Sequence, residues 1–251
     1  DPLWSRGLGD VYKRQEYGGL GLSGVTAGMI TEEIAYADFN VSYMQLLSSL
    51  MGAIIHANAS PELARPWNSR IVAGEAIVAL GLTEPRGGSD AANLQLKARR
   101  EGDEYVLSGE KTSITFADQA DAMVLFARTG KPEEGARGVS AFLVELNQKG
   151  VQRTRFNDVG SKIIGRGSVF FDDVRVPVGN RLGEEGKGFT QVMQGFDFSR
   201  ILIALQCVAA AQASIDETWE YVKERHTFGA PLAQYQGCLL YTSPSPRDQR
   251  G

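Results

Sequence analysis

The runs TEPRGGSD at residues 83–90 and GEKTSIT at residues 109–115 are the two most informative features of the chain. The first places a hydroxyl, a rigid proline and a Ser-Asp pair around two adjacent glycines. Glycines in such a run free backbone N–H groups to face an anionic or ring-carbonyl ligand. A run this short is also compatible with an ordinary Pro-Gly turn. It therefore predicts a ligand-binding loop, with a purely structural turn as the alternative.

A central β region is predicted from short apolar or alternating runs. Residues 94–100 and 105–107 flank a charged turn, which is typical of a β-hairpin, and this hairpin joins the two runs quoted above. Further runs, each bounded by Gly, Pro or charged residues, lie at 76–82, 122–128, 139–144 and 168–171. We expect residues 75–177 to form a compact antiparallel β domain.

Helices are predicted on both sides of this region. Ser23 is a candidate N-cap for a first helix, a second is expected at about 41–57, and long helix-forming sequence covers 190–225. The first helix has one apolar face, formed by Val25, Met29, Ile30 and Ile34. The order of helices, strands and helices predicts an α+β fold class.

Charge and hydropathy exclude two classes of function. The chain has 251 residues and a net charge of −4, which argues against a broad basic surface for nucleic acid. The apolar run at 72–82 is interrupted by Gly74 and Glu75, so no membrane span is expected.

The cysteines and histidines do not suggest a metal site. Cys207 lies among apolar residues and is expected to be a buried, inert thiol, so the chain has no disulfide or metal framework. His56 and His226 are far apart in the sequence, and each is interpreted as a structural or helix-surface histidine.

Five motifs in a fixed order resemble those of the acyl-CoA dehydrogenases, flavoenzymes that oxidise the Cα–Cβ bond of acyl-CoA thioesters. They are the two runs above together with VFFDDVRVP at 169–177, FDFSR at 196–200 and RHTFG at 225–229. The resemblance runs from about residue 16 to residue 236. It implies a helical N-terminal region, a central antiparallel β-barrel-like domain and a truncated C-terminal helical-bundle domain.

Both ends of the chain fall outside this resemblance. Residues 5–15 and 238–247 can be encoded by opposite strands of one DNA element, which is similar to a transposase-type sequencing adapter. We therefore expect adapter-like artefacts at 1–15 and 238–251, poorly packed against the rest, although a natural flexible terminus is the alternative for the Pro-Ser-Pro tail. The rest is interpreted as a partial N-terminal α domain at 16–74, a central β domain at 75–178 and a partial C-terminal α domain at 179–237.

The resemblance implies FAD as the cofactor and assigns residues to its ring. The flavin carbonyls and N–H need hydrogen-bond partners, a task suited to short hydroxyls and backbone amides. The first run would contribute Leu82 and Thr83 to the ring, with Ser89 near both FAD and CoA. The second would contribute Ser113 and Thr115. Without the resemblance, Thr83 and Thr115 would be interpreted as strand-end hydroxyls that satisfy the local backbone.

The helical motifs would bind the CoA portion of the substrate and the pyrophosphate and adenosine of FAD. Asp197 and Arg200 match family positions that contact the CoA portion. Arg225, Thr227 and Gln236 match positions that hold the FAD pyrophosphate and adenosine, in the family across a subunit interface. Taken singly, the arginines would be interpreted as surface ion-pair residues.

No catalytic residue is assigned. The family's base for the α-proton is usually a glutamate late in the second helical domain, and in a smaller group it directly precedes the arginine matched by Arg200. Ser199 occupies that second position and cannot act as a carboxylate base. We therefore expect the base C-terminal to Gln236, and expect the chain alone to be inactive. Glu84 occupies a position that the family uses structurally.

Ser113 departs from the family pattern, because many relatives carry an aromatic residue there, and Phe116 stands where asparagine is common. One interpretation is subfamily drift in which Phe116 or a neighbouring residue fills the gap. The other is a spacious pocket for a bulky acyl group such as a cyclic carboxyl-CoA.

The leading hypothesis is an acyl-CoA dehydrogenase that passes electrons to an electron-transferring flavoprotein. It would be a homotetramer or homodimer in the cytoplasm, with a bacterial source expected. The alternatives are an acyl-CoA oxidase or a nitroalkane-oxidising relative, separable by the oxygen reactivity of the reduced flavin. A non-catalytic acyl-CoA or flavin-binding module, or a DNA-binding relative, represents a different class.

Overall fold

A computed structural model describes residues 16–235 and residue 237. The adapter-like segments, and the poor packing expected of them, lie outside the described residues. So does Gln236.

Three α-helices lie in the described part of the N-terminal region, from residue 16 onward. They are α1 (Gly24–Ala37), α2 (Phe39–Asn58) and α3 (Pro61–Val72). Ser23 caps α1 as predicted, since its side chain accepts a hydrogen bond from the Thr26 N–H. The sequence analysis did not predict α3. Pro61 lies in its first turn and Ser60 is its N-cap, so the Ser-Pro pair marks the start of a helix as well as the end of the one before it.

The β region is one mixed sheet. Its strands are β1 (Val78–Gly81), β2 (Lys97–Glu101), β3 (Glu104–Ile114), β4 (Ala122–Arg128), β5 (Val139–Glu145), β6 (Val151–Arg153), β7 (Gly167–Pro177) and β8 (Arg181–Leu182). The order across the sheet is β6-β7-β3-β2-β4-β5-β8, and β1 also pairs with β4. The expectation of an antiparallel domain holds for most of these pairs, but β4 lies parallel to both β1 and β2.

Strand β4 is the centre of the domain, because all seven of its residues are buried. Met123 and Leu125 contribute to a core on one face of the sheet, with residues of β3 and β7. Val124 and Phe126 contribute to the other core, which includes Trp67 and residues of the helices. Both faces are therefore covered, which explains why this strand is uniformly apolar rather than alternating.

The long helix α4 (Gly188–Glu224) packs on the N-terminal helices. Its Gln206 donates a buried hydrogen bond of 2.7 Å to Ser42 of α2. Beyond α4, a small hairpin pairs β9 (His226–Thr227) with β10 (Ala230–Pro231).

One expectation about α4 is wrong. Cys207 is exposed rather than buried, because it lies on the solvent side of the helix. By length and composition this helix could also cross a membrane, with a mean hydropathy of 1.5 in its most apolar stretch. One such helix is weak evidence for a membrane span, since core helices of soluble proteins pass the same test.

Candidate functional site

The first loop follows β1 and changes from buried to exposed along its length. Leu82 and Glu84 are buried and Thr83 is half-buried, whereas residues 85–90, including Ser89, are exposed. The turn closes with a hydrogen bond of 3.0 Å from the Gly87 N–H to the Glu84 carbonyl. Its tip is therefore open to a ligand while its base is fixed in the domain.

The second run forms the end of β3 and the turn after it. Ser113 is exposed and has a φ of 57°, a left-handed conformation that interrupts the strand. Thr115 is half-buried, and its neighbours Ile114 and Phe116 point into the core. Ser113 and Thr115 thus alternate along the chain with two apolar residues whose side chains are anchored in the core.

The two loops are joined directly. The Thr112 N–H donates a hydrogen bond of 2.9 Å to the Thr83 carbonyl. This bond brings the base of the first loop against the second run, as expected if both hold one flat ligand.

A buried ion pair reinforces the junction. Lys111 Nζ lies 2.7 Å from Glu84 Oε1 and also donates to the Leu82 carbonyl at 3.1 Å. The Lys111 side chain is 0% exposed and that of Glu84 is 7% exposed. Burial lowers the pKa of Lys111 to about 8, and the attraction of Glu84 opposes this shift.

The same carboxylate binds a third segment. Its two oxygens accept hydrogen bonds from the backbone N–H groups of Gln95 at 2.6 Å and Leu96 at 2.9 Å. Gly109 allows β3 to lie close to Leu96, because a Cβ at position 109 would be only 3.0 Å from the Leu96 backbone. The Glu84 carboxylate therefore links its own loop to two other segments of the domain.

A cleft of about 510 Å³ opens beside the second run. It is lined by Tyr43, Ser113, Thr115, Asp158, Val159, Gly160, Ser161, Ile164 and Arg166. The structure thus brings Ser113 and Thr115 into one cleft. Leu82, Thr83 and Ser89 are not among the described residues that line it.

The charged groups of the cleft neutralise one another. Arg166 donates two hydrogen bonds of 3.0 Å to the two carboxylate oxygens of Asp158. This pairing lowers the pKa of Asp158 and makes it a weak base. Burial raises the pKa of the half-buried Tyr43, so its hydroxyl stays protonated near neutral pH.

The candidate CoA-binding residues lie on α4. Asp197 and Arg200 are both exposed and lie about one helical turn apart. Neither side chain forms an ion pair or hydrogen bond with another residue in the described part of the chain. Ser199 between them is buried, and its hydroxyl donates to the Phe196 carbonyl at 3.3 Å. This hydroxyl hydrogen-bonds to the backbone of its own helix and does not act as a base.

Arg225 and Thr227 lie where α4 passes into the small hairpin. Arg225 ends α4, and its carbonyl accepts a hydrogen bond of 2.8 Å from the Leu232 N–H. The Thr227 carbonyl accepts one of 2.8 Å from the Tyr235 hydroxyl. The Arg225 side chain is exposed. Gln236, the third residue assigned to this group, lies outside the described residues.

Sequence reasoning missed Lys111, Tyr43, Asp158 and Arg166. A signal for Lys111 exists, since it lies in a long strand that has a neighbouring strand on each side. A charge in such a strand requires a buried partner. No comparable signal marks the cleft residues, because the turn at 158–161 depends on tertiary contacts.

Comparison with known family models matches three successive parts of the chain. Residues 2–75 match "Acyl-CoA dehydrogenase, N-terminal domain", residues 79–174 the middle domain and residues 186–240 the C-terminal domain.

Curated relatives are similar over most of the chain. The mitochondrial isobutyryl-CoA dehydrogenase of Dictyostelium discoideum is 33% identical over 231 residues, covering 92% of this chain and 55% of the relative. The caffeyl-CoA reductase-Etf complex subunit CarC of Acetobacterium woodii is 36% identical over 222 residues, covering 87% of this chain and 58% of the relative. The chain thus spans less than two thirds of the length of these relatives.

Solved structures show the same architecture. The butyryl-CoA dehydrogenase from Megasphaera elsdenii superposes with a TM-score of 0.86 at 31% identity, covering 96% of this chain and 64% of that one.

Proposed function

The chain belongs to the acyl-CoA dehydrogenase family, and on that premise we propose that it takes part in the FAD-dependent α,β-dehydrogenation of an acyl-CoA thioester. The observation that carries the proposal is the joining of two ligand-type loops by the Thr112–Thr83 hydrogen bond, beside a cleft that Ser113 and Thr115 of the second loop help to line. Neither loop alone distinguishes a ligand site from a turn.

The residues present fit a flavin. The cleft volume of about 510 Å³ lies within the range of cofactor sites. Ser113 and Thr115 offer short hydroxyls to ring carbonyls, and Leu82 and Thr83 are held close to the second run by the loop junction. When bound, FAD would accept the hydride from Cβ and so supply the oxidation. Arg225, Thr227 and Gln236 would hold its pyrophosphate and adenosine.

Asp197 and Arg200 would bind the CoA portion, with Ser89 at the open tip of the first loop. Both α4 side chains are exposed and unpaired within the described residues, so a ligand phosphate or ribose can reach them without breaking an internal ion pair. An arginine fixed on a helix suits phosphate recognition.

Abstraction of the α-proton needs a base, and neither Asp158 nor Glu84 is proposed for this role. Asp158 is the carboxylate among the described cleft-lining residues, and Arg166 holds it ionised with a lowered pKa. Glu84 is buried and fully engaged. A base C-terminal to Gln236 remains a prediction.

Ser113 is proposed to widen the acyl pocket. Phe116 is 3% exposed and packs in the β core, where it does not line the cleft. It therefore does not fill the space that an aromatic residue at position 113 would take. This supports the spacious-pocket hypothesis over gap filling by Phe116.

An electron-transferring flavoprotein is the proposed electron acceptor. Support comes from CarC, whose name places it in a complex with Etf. Homotetramer or homodimer assembly, and a bacterial cytoplasmic location, remain predictions.

Titration of the full chain with FAD, followed by flavin fluorescence, tests the proposal. We expect saturable binding that Thr115→Val weakens about tenfold, the effect of one lost hydrogen bond. Thr129→Val is the matched control, because its hydroxyl pairs with Ser140 away from the cleft. Equal effects of the two variants, or no binding by the unmodified chain, would contradict the proposal. Rapid reaction of the reduced flavin with oxygen would favour an oxidase instead.

A further inference from the structure

The buried pair of Lys111 and Glu84 lies where both candidate flavin loops meet a third segment, residues 95–96. Lys111 belongs to the second run, and Glu84 to the first. Their side chains are almost completely shielded from water, at 0% and 7% exposed. A buried ion pair is weak evidence for stability, since desolvation cancels much of the attraction. Its position suggests a role in fixing geometry.

Each partner makes bonds that a hydrophobic pair could not replace. Lys111 donates to the Leu82 carbonyl at 3.1 Å, so it holds the backbone that precedes Thr83. Glu84 accepts the Gln95 and Leu96 N–H groups, so it holds the start of the hairpin. The Thr112 N–H bond to Thr83 then depends on both loops being held in register.

We propose that Lys111 and Glu84 act as positioning residues for flavin binding, by holding the first loop, the start of the hairpin and the second run in one arrangement before the ligand arrives. The pair contributes no contact to the cleft, since neither residue lines it. Its effect on FAD is therefore indirect, through Thr83, Ser113 and Thr115. Preorganisation of this kind increases affinity by removing the cost of ordering loops on binding. The inference rests on the proposed function.

The test compares three variants of the full chain with the unmodified protein. Lys111→Met removes the cation and leaves the buried carboxylate unpaired. The double variant Glu84→Gln with Lys111→Met removes both charges and so avoids an uncompensated buried charge, but it cannot donate to the Leu82 carbonyl. Val174→Ala is the matched control, because Val174 is fully buried in the core and makes no loop bond.

Two readouts are used, namely amide hydrogen exchange at Leu96 and Thr112, and the dissociation constant for FAD. In the double variant we expect exchange at both amides to accelerate at least about tenfold and FAD affinity to fall about tenfold, even when its thermal midpoint matches that of the unmodified protein. Val174→Ala should lower the midpoint and leave FAD affinity unchanged. If Lys111→Met does not fold, the double variant decides.

The proposal is overturned if, in the double variant, the Leu96 and Thr112 amides exchange as slowly as in the unmodified protein and the affinity for FAD is unchanged. It is also overturned if Val174→Ala, at equal loss of stability, weakens FAD binding as much as the double variant. Absence of FAD binding by the unmodified protein would contradict the proposed function. The exchange rates would still decide whether the pair holds the loops.

Discussion

The two parts of the candidate site differ in how the fold holds them. In the β domain, the ligand loops are anchored by buried groups, with Lys111, Glu84 and the Thr112–Thr83 bond joining segments far apart in sequence. On α4, Asp197 and Arg200 are exposed and have no partner among the described residues. The two candidate flavin loops are therefore held by buried contacts, whereas the candidate CoA-binding residues are placed only by their helix. Substitutions should affect stability in the first region and binding alone in the second.

Catalytic rate is expected to show the largest effect, because neither region supplies a base. The full chain with FAD and an acyl-CoA should bleach the flavin about 10²–10⁴-fold more slowly than a relative with its base. Anaerobic absorbance spectroscopy measures this rate. Asp158→Asn is the control and should change nothing, since Arg166 already holds that carboxylate ionised. A rate comparable to that of a relative, lost in Asp158→Asn, would identify Asp158 as the base.

Lys111→Met should cause the largest loss of stability. It leaves the Glu84 carboxylate buried without its cation, which typically costs about 3–5 kcal/mol in the free energy of unfolding. Arg200→Ala is the exposed counterpart on α4 and should leave the denaturation midpoint unchanged. Urea denaturation followed by circular dichroism measures both. Similar midpoints for the two variants would remove the contrast between the regions.

The stability of the unmodified protein should rise with pH relative to that of Lys111→Met. Burial lowers the pKa of Lys111 to about 8, while the unfolded chain keeps the ordinary value of 10.5. Between these values the unfolded state binds more protons, so the free energy of unfolding increases with pH, by at most about 1.4 kcal/mol per pH unit. Below pH 8 Lys111 is protonated in both states, so it adds no pH dependence to the free energy of unfolding. The buried tyrosines titrate equally in both proteins, so their effects cancel in the difference. A flat difference between pH 8 and pH 10 would show that Lys111 titrates normally.

Ser113→Trp should shift binding towards linear acyl-CoA. The indole would occupy the space that Ser113 leaves beside the cleft, and a steric change in a pocket is worth about tenfold or more in discrimination. Competitive titration with a cyclic carboxyl-CoA and a linear acyl-CoA of equal carbon number measures the ratio. Ser113→Ala controls for loss of the hydroxyl. An unchanged ratio in Ser113→Trp would eliminate the spacious-pocket hypothesis.

Arg200→Ala should have the smallest effect, a fall of about tenfold or less in affinity for CoA with no change for FAD. An exposed charge-assisted contact to phosphate is screened by salt, so the loss should shrink as ionic strength rises. Isothermal titration at two salt concentrations measures it. Lys223→Ala, at an exposed residue near the end of the same helix, is the control. A salt-independent effect would indicate a structural role for Arg200.

Much of the fold followed from local pattern. Turn residues bounded the apolar runs of the sheet, and Ser23 marked the start of α1 correctly. The parallel pairing of β1 with β4 could not be predicted, because parallel register depends on contacts distant in sequence. The exposure of Cys207 was also missed, since nearly every residue around it is apolar and the sequence does not show which face of α4 is covered.

The candidate site was predicted less completely. Motif order indicated Ser113 and Thr115, which the structure places in the cleft, but Lys111 was passed over because its role depends on a partner in another loop. Ser161, with a φ of 54°, and Asp158 form one wall of the cleft through a turn without a sequence signal. Tertiary contacts, rather than propensity, place such residues.

Amide chemical-shift mapping of the full chain during titration with FAD tests the central claim most directly, because it locates the cofactor without requiring activity. We predict shifts concentrated at residues 82–90 and 112–116, with those at 197–200 changing only on later addition of CoA. Shifts confined to α4, or spread evenly over the chain, would contradict a flavin site built from the two joined loops.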